Sequence, residues 1–225
     1  MSETLKILFS NGMLVEAIWD TVYMTIISTL VSYGLGLPLG IILYTTKEKG
    51  LAPCKPLNFV LGFIVNLLRS IPFIILTFAI FPVAKFIAGT TIGNGAMIVT
   101  LVFGAAPYIA RMVESSLLEV DSGVIEASQS MGASLPQIIF KVLLPEAKPA
   151  LITGAVISSI TVLGYTAMAS TIGGGGLGAI AYNYGYQLFN DDVTWICVAF
   201  TVIIVQLIQV LGNYIAFKSD KRIKK

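Results

Sequence analysis

Five apolar runs organise this chain. They cover roughly residues 18–44, 57–81, 92–112, 150–169 and 193–217, with polar or charged stretches between them. Each is close to the ~20 residues a helix needs to cross a hydrocarbon core about 30 Å thick. Lipid offers no partner to open backbone groups, so runs of this length predict helices. The expected architecture is all-α: a polytopic membrane protein with about five transmembrane helices, forming one membrane domain over residues 1–225. The pattern is interrupted once. Between the third and fourth runs lies "IEASQSMGASLPQIIFKVLLP", residues 125–145, which carries one Glu and one Lys and is punctuated by Gly132, Pro136 and Pro145.

A second pattern lies inside that insert. Asp121 and Ser122 are good helix starters. Val124, Ala127, Ser128 and Met131 follow at i, i+3, i+4 and i+7, on one helical face whose middle is small. Glu126, Gln129 and Ser130 project elsewhere. Gly132 suits a helix stop. Ser134 and Pro136 restart a second helix carrying Ile138, Ile139, Val142 and Leu143, and Pro145 ends it. The expectation is two short helices at an angle. A short helix with a small face sinks closely into a groove on another protein. The plainer reading is a structured connector between two spans.

Composition makes the bilayer the natural solvent. Of 225 residues, 56% are hydrophobic and 12% charged, against about 25% charged in a soluble domain. Mean hydropathy is +0.88. A net charge of +2 gives no case for nucleic acid. There is no His, which removes the commonest metal ligand and general base. No nucleophile–base pair stands out, which argues against a membrane enzyme. Cys54 falls in a Lys-containing loop and Cys197 opens the last run. Expected on opposite sides of the membrane, they cannot bridge, since a disulfide needs Cα atoms within about 7 Å. The first twenty residues lack a basic start and a small-x-small site, so they do not read as a cleaved signal. They read as a short amphipathic surface stretch, with Leu5, Leu8 and Phe9 as its apolar side, or as an unstructured tail.

Lys and Arg set the expected direction. Lys47, Lys49 and Lys55 follow the first run. Arg111, Lys141 and Lys148 lie in or beside the insert, and Lys218, Lys221, Arg222, Lys224 and Lys225 form the tail. All fall on one side, taken as the cytoplasm, while the other side has Lys6 and Lys85. The N-terminus is then outside, the C-terminus inside, and the insert cytoplasmic.

Several runs are not smooth rods. Gly34, Gly36, Pro38 and Gly40 interrupt the first, and Gly104 and Pro107 the third. They fit either ordinary close packing or a kinked wall around a pathway. Arg69, in "NLLRSIPF", lies near the middle of the second run, where an arginine is costly and by default functional. Pro72 suggests a break there, placing Arg69 at a helix entrance, either paired or lining a cavity. Met168, a large side chain among small ones in "GYTAMAS", is a candidate outer gate, with simple gap-filling as the alternative. Tyr108 completes the candidate pathway set.

The residues Glu126-Ala127-Ser128, then Gly132, then Val142, Leu144 and Pro145 stand at a telling spacing. It resembles the cytoplasmic loop of ABC-importer permeases: EAA, three residues, G, nine residues, I, one residue, LP. Ser128 replaces the third Ala, and Val142 replaces Ile. "RSIPFIIL" at 69–76 and "GGGGLGAIAYNYGYQLF" at 173–189 are similar to the methionine-importer permeases, small five-span subunits of the bacterial inner membrane. With the insert, the resemblance covers most of the chain from about Gly34 onward. It implies a single permease domain whose two-helix coupling loop spans about 119–145. In it Glu126, Ala127, Ser128, Met131, Gly132, Leu144 and Pro145 would meet a separate ABC ATPase subunit. The resemblance also implies two copies of the chain, an extracytoplasmic substrate-binding protein, and alternating access for an amino acid, methionine first. No cofactor is expected in this chain; ATP and Mg belong to the ATPase.

The stretch "TIGGGGLGAIAYNYGY" contains G-x-G-x-x-G at Gly173, Gly175 and Gly178. A dinucleotide site would need a strand before it and a βαβ unit around it, and a P-loop would need Lys-Ser/Thr after the glycines. Both are missing. The run reads as a flexible outer hinge followed by Tyr182, Tyr184, Tyr186 and Phe189. These form either an aromatic belt or, through Tyr184 and Tyr186, a contact for the binding protein. The competing function is an ATP-independent secondary transporter or channel. Proton-coupled carriers keep ionisable groups deep in the membrane, whereas the acidic residues here, Glu114 among them, are expected at span ends or in loops.

Overall fold

A computed structural model describes the backbone of residues 3–219 and the side chains of residues 7–219. Lys6, Leu5 as part of an apolar side, and the basic tail at Lys221, Arg222, Lys224 and Lys225 lie outside the described side chains. The elements are α1 (Glu3–Ser10), α2 (Met13–Thr45), α3 (Lys55–Ser70), α4 (Phe73–Ala88), α5 (Asn94–Leu118), α6 (Ser122–Ser130) and α7 (Leu135–Gln137). A π-helical segment (Ile138–Leu143), α8 (Leu144–Thr171), α9 (Leu177–Ile180), a second π-helical segment (Ala181–Tyr186) and α10 (Asp191–Ser219) follow. The all-α expectation holds, and among the described residues there is no strand.

Among the described residues four helices are long and apolar enough to cross a membrane, and α3 with α4 passes the same test as a pair bent by 112° at the break between them, the geometry of a broken span or a re-entrant loop. The second apolar run is therefore not one rod. It is interrupted at Ile71 and Pro72. Proline's fixed φ and missing N–H favour a first-turn position over a helix interior, so Pro72 caps the start of α4. Pro38 and Pro107 instead lie inside α2 and α5. The long helices differ in burial. In its most apolar window α5 is 61% buried and α10 only 17%. So α5 is a core element, and α10 presents Val202, Leu207, Leu211 and Tyr214 outward.

The fourth run begins earlier than its hydropathy indicates. Residues Leu135–Thr171 are one continuous helix, and Pro145 does not end it. In a regular α-helix the ring of Pro145 would crowd the carbonyl four residues back. Here the turns ahead of it are π-helical, and the N–H of Leu144 reaches five residues back to the carbonyl of Ile139. The wider turn gives the ring room. The expected pair of short helices is thus one short helix, α6, followed by the base of a long one.

The chain forms two compact units. Among the described residues the first comprises 3–31, 71–105 and 159–209, and the second 32–70, 106–158 and 210–219. In the first, Leu8 of α1 is buried with Leu14, Ala17, Leu163, Leu177 and Val193, while Phe9 is exposed. The N-terminus is helical and not an unstructured tail, but its expected apolar side is corrected: Leu8 packs into the core of the unit and Phe9 does not. In the second, Leu43, Val65 and Ala110 form a small core. There Gly36 and Gly40 let α2 close on α5: a Cβ on Gly36 would lie 2.6 Å from Ile109 Cγ2, and one on Gly40 2.6 Å from the Ala110 carbonyl. Small residues allow this approach between membrane helices, so these two glycines serve packing. Cys54 is exposed and Cys197 buried, both as free thiols.

Candidate functional site

The insert helix α6 has both its ends satisfied locally. Asp121 caps it, its carboxylate accepting the Gly123 N–H at 2.6 Å, as an N-cap side chain should. At the other end Gly132 has φ +79°. The N–H groups of Gly132 and Ala133 donate to the Gln129 and Ser128 carbonyls at 2.9 and 3.1 Å. The next helix starts with the Ser134 N–H donating to Gln137 Oε1 at 2.8 Å, half of a capping box.

Only Ile125 and Ser128 of α6 are buried. The Ser128 hydroxyl donates to the Val124 carbonyl at 2.8 Å. Ser128 therefore packs inward and leaves the predicted outward face. Val124, Glu126 and Ala127 are exposed, and Met131 is 81% exposed. No atom lies within 4 Å of a Cβ added at Gly132. Leu144 and Pro145 sit on α8, half-buried and exposed, where the π-helical segment returns to α geometry. Single π turns inside α-helices cluster at functional sites. A cleft of about 240 Å³ lies at the stem of the insert, lined by Ser116, Glu119, Glu146, Pro149 and Thr153.

A charge cluster on α5 escaped the sequence reading. Glu114 is 4% exposed. Lys47 Nζ lies 2.9 Å from its Oε1, and Arg111 Nη1 lies 2.6 Å from its Oε2. Nη2 of Arg111 donates to the Gly62 carbonyl at 3.1 Å and to Asn66 Oδ1 at 3.0 Å. So of the two expected places, span end or loop, Glu114 takes the span end, and there α5 continues to Leu118 and buries it. The i, i+3 spacing of Arg111 and Glu114 was a visible signal. Lys47 and Asn66 are too distant in sequence to be read.

The glycine-rich stretch is pinned, which overturns the flexible-hinge reading. The Gly93 N–H donates to the Gly173 carbonyl at 2.7 Å, and the Gly174 N–H to Ala169 at 3.1 Å. The Gly175 N–H donates to Asn94 Oδ1 at 2.8 Å, and the Leu177 N–H to Thr21 Oγ1 at 2.9 Å. The Ser170 hydroxyl donates to the Gly175 carbonyl. Gly176 has φ 101° and ψ −177°, a conformation that belongs to glycine. A Cβ there would meet Thr21 Oγ1 at 2.7 Å.

The aromatic residues after the turn do not form one surface. Tyr184 is half-buried against the core of its unit and lines an open cleft with Glu16, Asp20 and Asn183. Tyr186 is 71% exposed and stacks on Tyr182, with centroids 5.9 Å apart. Phe189 is 91% exposed with φ 51°. Of the pathway candidates, Arg69 is exposed in the last turn of α3, Tyr108 is half-buried in α5, and Met168 is half-exposed near the end of α8.

The family profile described as "Binding-protein-dependent transport system inner membrane component" matches residues 36–225. "Probable D-methionine transport system permease protein MetI" of Vibrio cholerae is 47% identical over 213 residues, 95% of this chain and 95% of its own. "Methionine import system permease protein MetP" of Bacillus subtilis is 47% identical over 207 residues, 92% of this chain and 93% of its own. A chain from a structure of the MetNI methionine ABC transporter in inward-facing conformations matches with a TM-score of 0.93 at 45% identity. It covers 98% of this chain and 100% of that one.

Proposed function

The chain belongs to the family of binding-protein-dependent transport system inner membrane components, and on that premise we propose that it is the membrane-spanning subunit of an ATP-driven methionine importer. The observation that carries the reading is α6: a self-capped helix with an open outward face, at the position where the family resemblance puts the ATPase contact. Glu126, Ala127, Met131 and Gly132 meet the ATPase subunit, and Ser128, Leu144 and Pro145 hold that surface in place. The insert and the C-terminus lie in the cytoplasm, and the N-terminus lies outside.

Two copies of the chain, embedded in lipid, form the pathway. ATP and Mg bind in the ATPase, where hydrolysis takes place. ATP-driven closure of the ATPase pair moves the two α6 helices together. The spans then rock from inward-open to outward-open. An equilibrium shifts only by the difference in contacts between its states, so the α6 contacts must change with the nucleotide. Outside, Tyr186, with Tyr184 behind it, meets the substrate-binding protein. Met168 narrows the outer end of the pathway, and Arg69 and Tyr108 line it.

The test is reconstitution of the chain with its ATPase and binding protein in sealed vesicles, followed by uptake of labelled methionine. Uptake that needs ATP and the binding protein supports the reading. Uptake that continues without ATP would instead make this a secondary transporter.

A further inference from the structure

The cluster around Glu114 joins three elements at one carboxylate. Lys47 comes from the turn that follows α2, Arg111 from α5 itself, and Arg111 reaches on to α3 through the Gly62 carbonyl and Asn66. The helices are already close here. Gly36 and Gly40 bring α2 onto α5 with no room for a Cβ. The link from α5 to α6 is also short. Residues 119–121 separate the two helices, Val120 is buried, and its N–H donates to the Leu117 carbonyl at 3.3 Å. Such a link has little slack to absorb a displacement of α6.

We propose that Glu114 is a positioning residue for transport. With Lys47 and Arg111 it locks the turn after α2, the middle of α3 and the C-terminal part of α5 into one body, so that movement of α6 reaches all three together. This rests on the importer reading above. The choice of charge supports a role in register rather than in stability alone. Replacing a buried ion set by apolar residues of similar volume is often neutral or stabilising. Such residues would not fix alignment, because apolar surfaces slide past one another with little change in contact. A guanidinium held by a carboxylate on one side and a helix carbonyl on the other accepts one geometry.

The test compares transport per ATP in the reconstituted assembly for the parent, Glu114→Gln and Lys47→Met. Glu114→Gln keeps the volume and removes the charge. Lys47→Met removes one arm, a half-exposed one, and leaves the Arg111 pair. Transport per ATP is expected to fall about tenfold in Glu114→Gln and about fivefold in Lys47→Met, with the ATPase still bound. If Glu114→Gln does not assemble, the ratio in Lys47→Met decides. A ratio equal to the parent's overturns the lock, even where uptake and hydrolysis decline in step, since that is what a purely structural role would give. A parent that lacks ATP-dependent uptake is a different result: it rejects the importer reading itself.

Discussion

Two glycine-marked segments of this molecule hold themselves in opposite ways. Helix α6 closes its own ends with Asp121 and Gly132, and its hydrogen bonds stay within the insert. The segment at 173–177 takes its partners from elsewhere: Asn94, Thr21, Ala169, Ser170 and Gly93. Backbone groups must be satisfied in either case. A segment that satisfies itself leaves its outer face free for another molecule. A segment that borrows partners from several elements is part of the wall. Glycine alone does not tell the two apart. At Gly132 it supplies a left-handed φ in open space, while at Gly176 it also makes room for a neighbour.

The comparison breaks most visibly at the turn. Gly176→Val places a branched Cβ in a glycine-only conformation and against Thr21, and should cost about 3 kcal/mol. Thermal melting of the detergent-purified protein reads this. A melting point equal to the parent's would mean the turn is loose after all. The next effect is smaller and local. Asp121→Ala removes the cap of α6 and should cost that helix about 1 kcal/mol. Amide exchange over residues 122–130 should speed up while global melting hardly moves. Unchanged exchange would show that α6 does not hold itself. The smallest expected effect on stability is at Tyr186. Its exposed ring should change melting by no more than about 0.5 kcal/mol on truncation to Ala, whereas binding-protein-dependent uptake should fall. Unchanged uptake would remove Tyr186 from the outer contact.

The parts of this structure legible in sequence are those set by local chemistry. The five apolar runs gave the spans because hydropathy and length decide whether a helix can cross. Asp121, Ser122 and Gly132 gave the bounds of α6 to within a residue. The break at Pro72 was visible because a proline there favours a helix start. What stayed hidden depends on distant partners or on backbone register. Pro145 reads as a stop in the local pattern, yet the helix continues through it behind a widened turn. The pinned glycine turn depends on Thr21 and Asn94, far away in the chain. Ser128 fits the outward face by spacing, yet the helix is rotated so that Ile125 and Ser128 face in. Glu114 lies just past an apolar run, where its position at a span end is legible but its burial is not, since that depends on Lys47 and on α5 continuing to Leu118.

The most direct test of the central claim is a tagged purification from native membranes, for the parent and for Gly132→Asp. A Cβ meets nothing at Gly132, and aspartate tolerates a left-handed φ at a cost of about 1 kcal/mol, so the variant should fold and melt close to the parent. The account predicts that an ATPase subunit co-purifies with the parent in equal amount and is lost from the folded variant. An ATPase retained by the variant, or absent from the parent under mild detergent, would contradict it and leave the insert as a connector between two spans.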